Sequence, residues 1–189
     1  IEEAIRLSAA TVLSGPAGGV AGSKYGASLI GAGDIVPFDM GGTSTDISMI
    51  VNGEPALSST RGIAGQRIAL QSLDIVSIAS GGGSIARVDA GGILRVGPES
   101  AGALPGPACY GKGGTEVAVT DASVVLGFLD PGNFLGGRET LDVSAAEDAV
   151  SRLANQLSVE PAEAAEGVHK VINTQMAEGI RLVSVRTVS

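Results

Sequence analysis

The chain has 189 residues with 44% hydrophobic and 17% charged side chains, so it has the length and apolar content for a real core and is not a disordered polypeptide. A net charge of −8, 3% aromatics and no Trp argue against a nucleic-acid binder, and one Cys with one His exclude an internal disulfide framework and a His/Cys zinc site. No apolar run approaches the length of a membrane span and no signal peptide is recognisable, which makes the cytosol the expected compartment.

Thr11-Val12-Leu13 is a short β-prone run, and Ser14-Gly15-Pro16 then opens a helix, with Pro suited to the first helical position. Gly18, Gly22 and Gly26 recur at every fourth place on this helix, which predicts close packing on a sheet. Ile35–Phe38 and Thr45–Val51 are the first two predicted strands. Asn52-Gly53 is a type I′ hairpin signal, so a third strand is expected over 54–60, giving a three-strand antiparallel meander. Residues 66–70 and 75–79 are further strand candidates. Gly81-Gly82-Gly83-Ser84 breaks the chain, and 85–88 and 93–96 flank the hairpin-like Asp89-Ala90-Gly91-Gly92. Gly97–Thr115 reads as a long Gly- and Pro-rich loop. Asp121 is expected to cap a short helix ending at Val125, and Ser144-Ala145-Ala146-Glu147 has the form of a capping box. The helix after it places Ala146, Val150, Leu153, Ala154 and Leu157 on one face. Ser158 is expected to start the longest helix, with Val168, Ile172, Met176, Ile180 and Val183 as its apolar stripe. The chain begins at Ile1 without Met and ends inside this helical pattern. That suggests a single domain, residues 1–189, taken from a longer protein.

Glycine is the compositional anomaly, with 29 residues, about twice the usual share. It concentrates where chemistry is expected. In Val36-Pro-Phe-Asp-Met-Gly-Gly-Thr-Ser-Thr-Asp-Ile-Ser48, Gly41 and Gly42 allow a tight turn that exposes backbone N–H groups, and Thr43, Ser44 and Thr45 add hydroxyls. Such donors suit the oxygens of a phosphate. Asp39, at the strand end, has the chemistry to hold Mg²⁺ directly or through water, which would resolve its repulsion of phosphate. Asp46 is suited to bonding turn amides and holding the loop in shape. The residues alone equally describe an ordinary tight hairpin with a polar tip.

The stretch resembles the phosphate-binding hairpin of the actin/Hsp70/sugar-kinase ATPases, in which a similar turn joins the first two strands of an RNase H-like α/β domain. Further motifs stand in one order along the chain. They are Leu13-Ser-Gly-Pro-Ala-Gly-Gly-Val20, Phe38–Asp46, Ser80-Gly-Gly-Gly-Ser-Ile85, Val88-Asp-Ala-Gly-Gly92, Val96-Gly-Pro-Glu-Ser-Ala-Gly102, Pro105-Gly-Pro-Ala-Cys-Tyr-Gly111 and Val119-Thr-Asp-Ala122. Together they resemble the hydantoinase A / 5-oxoprolinase family, which includes acetone carboxylase ATP-binding subunits, over nearly the whole chain.

The resemblance implies the second of two ATPase-type domains. The first domain, the later adenosine-binding segment and a B-type partner subunit would lie outside this chain. It implies ATP and Mg²⁺ as cofactors and cleavage of ATP coupled to opening a cyclic amide of hydantoin or 5-oxoproline type, through phosphorylation of the carbonyl oxygen. Asp39 would organise Mg²⁺. Gly41, Gly42 and Thr43 would bind phosphate, with Thr45 and Asp46 supporting the turn and Gly82 and Gly83 approaching the ligand. An acetone-carboxylase-like subunit and a non-catalytic nucleotide-binding scaffold are the alternatives.

Other candidates are weaker. Gly106–Gly113 nearly spells a P-loop, but Gly113 stands where a Ser or Thr is needed and no strand feeds the loop. Lys112 remains a candidate contact for phosphate. Cys109 has no partner His nearby and is expected to be a packing thiol. Asp74 and Asp89 are expected at turns, His169 at a half-buried position, and residues 160–166 on a solvated helix face.

Overall fold

A computed structural model describes residues 14–59, 61–63, 66–68 and 72–188. The β-prone run at 11–13, Thr60, and positions 69 and 70 lie outside the described residues. The chain has α/β content and divides into two compact units: residues 1–39, 46–77 and 179–189 form one, and residues 40–45 and 78–178 the other.

The first unit opens with helix α1, Ser14–Leu29. Val20 and Ala27 are its buried positions, whereas Gly18, Gly22 and Gly26 are exposed, and a Cβ built on any of them meets nothing within 4 Å. The expected packing of that glycine stripe on a sheet is therefore not found among the described residues. Lys24 reaches from α1 to Glu54, 2.8 Å away.

Strands β1, Phe38–Met40, and β2, Thr45–Ser48, are neighbours in a three-stranded sheet of order β1-β2-β9, with β9 at Ile75–Ile78. Four residues join β1 to β2, too few for a crossover, so the pair is an antiparallel hairpin. The first strand was expected at 35–38. Pro37 has no N–H to give a ladder, so Ile35 makes only an isolated bridge to Ile50 and regular pairing starts after the proline.

The second predicted strand is interrupted at Met49 and continues as β3, Ile50–Val51. Asn52 and Gly53 take positive φ of 52° and 76°, the type I′ geometry the sequence indicated, and β3 pairs with β4, Glu54–Pro55. The third expected strand does not continue as one piece. β5, Leu57–Ser58, pairs instead with β8, Ser72–Leu73. The three-strand meander is thus replaced by short ladders, and β9 takes the third place in the sheet. β6, Arg61–Ile63, and β7, Gln66–Ile68, form another antiparallel pair. Along β2 the side chains alternate: Thr45 and Ile47 on one face, Asp46 and Ser48 on the other.

The second unit is built on a hairpin of β10, Ser84–Val88, and β11, Leu94–Ser100. Its turn is fastened by Asp89, whose carboxylate accepts from the amides of Gly91 and Ile93 and from Arg95 Nε. Three helices follow: α2, Val119–Val125; α3, Val143–Leu157; and α4, Pro161–Val188, of which residues 161–178 belong to this unit. Ala149, Val150 and Leu153 of α3 and Val168 and Ile172 of α4 pack with Ala86, Val96 and Ala122 into one core. Each large aliphatic side chain buried there contributes about 1.5–3 kcal/mol.

Helix ends differ from expectation in two places. Asp142, not Ser144, caps α3 by accepting from Ala145 N at 3.0 Å, because the chain enters the helix two residues early, where Asp142 N is held by Cys109 O. Ser158 does not start α4; it closes α3 in the left-handed conformation, with φ of 58°.

Candidate phosphate-binding turn and acidic cavity

Residues 41–44 form a tight turn closed by Gly41 N donating to Ser44 O at 2.9 Å, with Gly41, Gly42 and Thr43 exposed to solvent. The turn is held from one side by Gly81–Gly83. Gly82 N donates to Gly41 O at 3.0 Å, and Gly83 N to Gly42 O at 2.6 Å. The two backbones lie so close that a Cβ on Gly81 would sit 2.7 Å from Gly41 O and from Thr43 N, and one on Gly83 would sit 2.8 Å from Gly42 O. Gly81 and Gly83 are therefore requirements of main-chain stacking on the turn, while a Cβ on Gly82 would meet Thr120 Oγ1 at 3.0 Å.

This stacking orients the turn. In a planar trans peptide the carbonyl of one residue and the amide of the next point in opposite directions. With the Gly41 and Gly42 carbonyls directed at Gly82 and Gly83, the amides of Gly42 and Thr43 face away from them. Among the described residues these two amides, and that of Ser44, have no intramolecular acceptor. The result is a short array of outward N–H donors, the arrangement that binds anions. The amides of Gly82 and Gly83 are themselves committed to the turn.

Several residues that sequence reasoning did not single out brace this arrangement. Thr120 donates to Gly82 O through both its backbone N and its hydroxyl, each at 2.8 Å. Thr45, which the sequence did mark as a support of the turn, is fully buried and donates its hydroxyl to Ser80 O. Ser80 Oγ donates to Gln175 Oε1 at 2.7 Å, and Gln175 Nε2 donates to Val96 O at 3.0 Å. Nothing in the sequence pattern around Gln175 marks it, since its role depends on a helix crossing segments about 80 and 95 residues earlier in the chain.

Asp39 and Asp46 belong to the other unit, where they line one cavity of about 200 Å³ together with Ser23, Ser48 and apolar walls that include Pro16, Val20, Phe38 and Ile75. Gly19 passes close to this carboxylate, its Cβ position 3.7 Å from Asp39 Oδ2. The polar side chains lining the cavity offer only oxygen, which suits a hard cation such as Mg²⁺. That ion takes one or two carboxylates and keeps most of its waters. Among the described residues no cluster of three or more His, Cys, Asp or Glu side chains exists, so a dense protein-only metal cage is not formed.

The remaining candidates are committed elsewhere. Asp121, expected to cap α2, is the third residue of that helix, within its first turn, and caps it by reaching back to the Ala118 amide while fully buried. Its carboxylate accepts from Cys109 N at 2.7 Å, Ala118 N at 2.8 Å and Ala108 N at 3.2 Å, pinning to the helix the segment after β11, which takes residues 97–100 of the loop expected at 97–115. Cys109 is fully buried, and burial first and the neighbouring Asp121 second push its thiol pKa far up. It therefore stays a protonated packing group. Lys112 Nζ is 3.3 Å from both carboxylate oxygens of Glu139 and 5.6 Å from the Tyr110 ring centre, so this cation is already paired.

His169 is half-buried, as expected, edge-on to Phe128 and 3.1 Å from Ser123 Oγ. Burial lowers its pKa. Ser123 directs its hydroxyl at Val119 O, so it accepts from the imidazole and is not an activated nucleophile.

Residues 1–188 match the family model described as hydantoinase/oxoprolinase. The chain is 42% identical over 173 residues to the alpha subunit of caprolactamase from Pseudomonas jessenii, covering 91% of this chain and 25% of that protein. It is 47% identical over 156 residues to 5-oxoprolinase 1 from Arabidopsis thaliana, covering 78% of this chain and 12% of that protein. Among solved structures, nucleotide-free acetone carboxylase, an enzyme of ATP-dependent acetone carboxylation, superposes with a TM-score of 0.82 at 34% identity over 90% of this chain and 24% of its own. The chain thus spans a quarter or less of the length of these relatives.

Proposed function

The chain belongs to the hydantoinase/oxoprolinase family, and on that footing we propose that it carries the phosphate-binding part of an ATP-dependent enzyme that opens a cyclic amide. The observation that supports this most directly is the turn at 41–44, whose Gly42, Thr43 and Ser44 amides have no intramolecular acceptor while its carbonyls are tied down by Gly82 and Gly83. In this proposal the Gly42, Thr43 and Ser44 amides receive phosphate oxygens, Gly41, expected to bind phosphate itself, instead closes the turn through its amide, and Thr45 holds the turn through Ser80. Asp39 organises Mg²⁺, with Asp46 on the same cavity. Gly82 and Gly83 act by positioning the turn.

ATP would supply the phosphoryl group that turns an amide carbonyl into a reactive centre, with Mg²⁺ offsetting the phosphate charge. The chain's own contribution is positioning and donor preorganisation, since amides already aimed outward need no reorientation when an anion arrives. The likeness to caprolactamase and 5-oxoprolinase supports a cyclic amide as the substrate class. The superposition on acetone carboxylase supports a second reading, a carboxylase-type subunit acting on a ketone. Since the compared caprolactamase chain is called a subunit, a partner subunit belongs to the proposal, as do further domains of the same polypeptide and weak ATP binding by this chain alone. An actin-type RNase H-like architecture and a cytoplasmic location are part of the same reading.

The deciding experiment offers a panel of lactams, hydantoins, 5-oxoproline and simple ketones to the full-length protein with its partner subunit, ATP and Mg²⁺. Ring-opened product formed in step with ADP supports the proposal. Carboxylated product favours the second reading, and nucleotide-dependent assembly with no hydrolysis would leave only a scaffold.

A further inference from the structure

We propose that Ser48 is a positioning residue for a hydrated cation in the cavity lined by Asp39 and Asp46, an inference that rests on the cation assignment above and extends it to a neutral group. Among the described residues, Ser48 Oγ is the one buried side-chain polar atom with no hydrogen-bond partner, in a residue only 3% exposed. Buried hydroxyls are almost always satisfied, and an orphan asks for an unseen partner. Strand alternation puts Ser48 on the same face of β2 as Asp46, two residues earlier, and both residues line the cavity with Asp39 and Ser23. A volume of about 200 Å³ holds a small cation with several waters. The two carboxylates are acceptors only and supply the charge. A hydroxyl can accept from a cation-bound water while donating to a second one, which fixes the orientation of that shell.

The test uses the full-length protein and Mn²⁺ as the probe, with free Mn²⁺ read by electron paramagnetic resonance in the absence of nucleotide. Ser48→Ala is expected to weaken Mn²⁺ binding by about tenfold, the usual scale for losing an outer-shell partner. Ser48→Thr, which keeps the hydroxyl, is expected to stay near wild type. In EDTA, Ser48→Ala is expected to melt no lower than wild type, because the hydroxyl has no protein partner to lose. Wild-type Mn²⁺ affinity in Ser48→Ala, with binding lost in Asp39→Asn, overturns the role of Ser48 and leaves the cation assignment standing. Wild-type affinity in both variants overturns the two together. A lower melting point for Ser48→Ala in EDTA also overturns the inference, since it assigns the hydroxyl a purely structural partner.

Discussion

Replacing Gly81 by Ala tests the stacked-backbone account most directly. The new Cβ would lie 2.7 Å from Gly41 O and Thr43 N and 2.8 Å from Gly42 C, all of them main-chain atoms with no rotamer to escape through. Ordinary contact begins at 3.4 Å, so the two segments must part. If that movement falls on the Gly82–Gly41 bond, now 3.0 Å, it passes beyond hydrogen-bond length, and the Gly83–Gly42 bond is placed at the same risk. Two lost bonds at about 0.5–1.5 kcal/mol each, with overpacking at about 1–3 kcal/mol, give a destabilisation of about 2–6 kcal/mol. The turn also loses the constraint that aims its amides, so ATP affinity falls with it. Equilibrium denaturation and calorimetric ATP titration of the full-length protein measure both effects. Gly22→Ala is the control. It lies exposed within α1 with nothing near its Cβ position, and it should stabilise by about 0.5–1 kcal/mol. A Gly81→Ala protein with wild-type denaturation midpoint and wild-type ATP affinity would refute the reasoning.

Other substitutions separate binding from scaffolding. Asp39→Ala should remove ATP turnover while circular dichroism stays unchanged, and retained turnover counts against the assignment. Asp121→Asn keeps one oxygen acceptor but sets its amide NH₂ against at least one of the three backbone N–H donors, and should destabilise by about 3 kcal/mol or more, read as a shift in urea midpoint. Cys109 should resist iodoacetamide at pH 8 in the native protein and react once unfolded, because its raised pKa keeps the thiol protonated. For His169, burial lowers the folded-state pKa below the ordinary 6.5. Its contribution to stability is therefore complete above pH 6.5 and is lost as the pH falls through the folded value. His169→Gln should flatten that acid-side slope of the denaturation midpoint.

Local chemistry was legible in the sequence where a single short segment determines it. Asn52-Gly53 specifies its own turn, Asp89 its own hairpin loop, and the apolar face of α3 its own burial, since each depends on neighbours within one turn or one hairpin. Strand limits were less legible. The pattern at 35–38 reads as extended, yet the missing N–H of Pro37 moves the pairing, and the run at 45–51 is shared between two ladders. The glycine spacing in α1 also misled. Period four is equally consistent with a packing face and with an outward one, and only the surroundings decide. At the candidate site, Asp39 and Gly41–Asp46 are proposed from their order in the sequence, whereas nothing there singled out Ser80, Thr120 or Gln175 as braces of the turn. Each acts on a segment that the chain reaches only after about 35 residues or more, and nothing periodic links them.

The geometry of the turn shows how a chain of net charge −8 could present the proposed anion site through its main chain. The donors are main-chain amides, and their direction follows from where the carbonyls are fastened. Gly82 and Gly83 take up the Gly41 and Gly42 carbonyls, and peptide planarity turns the amides of Gly42 and Thr43 the other way. Gly81 and Gly83 are then needed because a side chain at either would push the acceptors off their donors, whereas a Cβ on Gly82 would meet the Thr120 hydroxyl. Two requirements that look separate in the sequence, a Gly-Gly turn and a Gly-Gly-Gly break about 40 residues later, are one requirement in space. Fixed amides carry partial charge only and cannot neutralise a phosphate by themselves, which is why a cation is part of the proposed function.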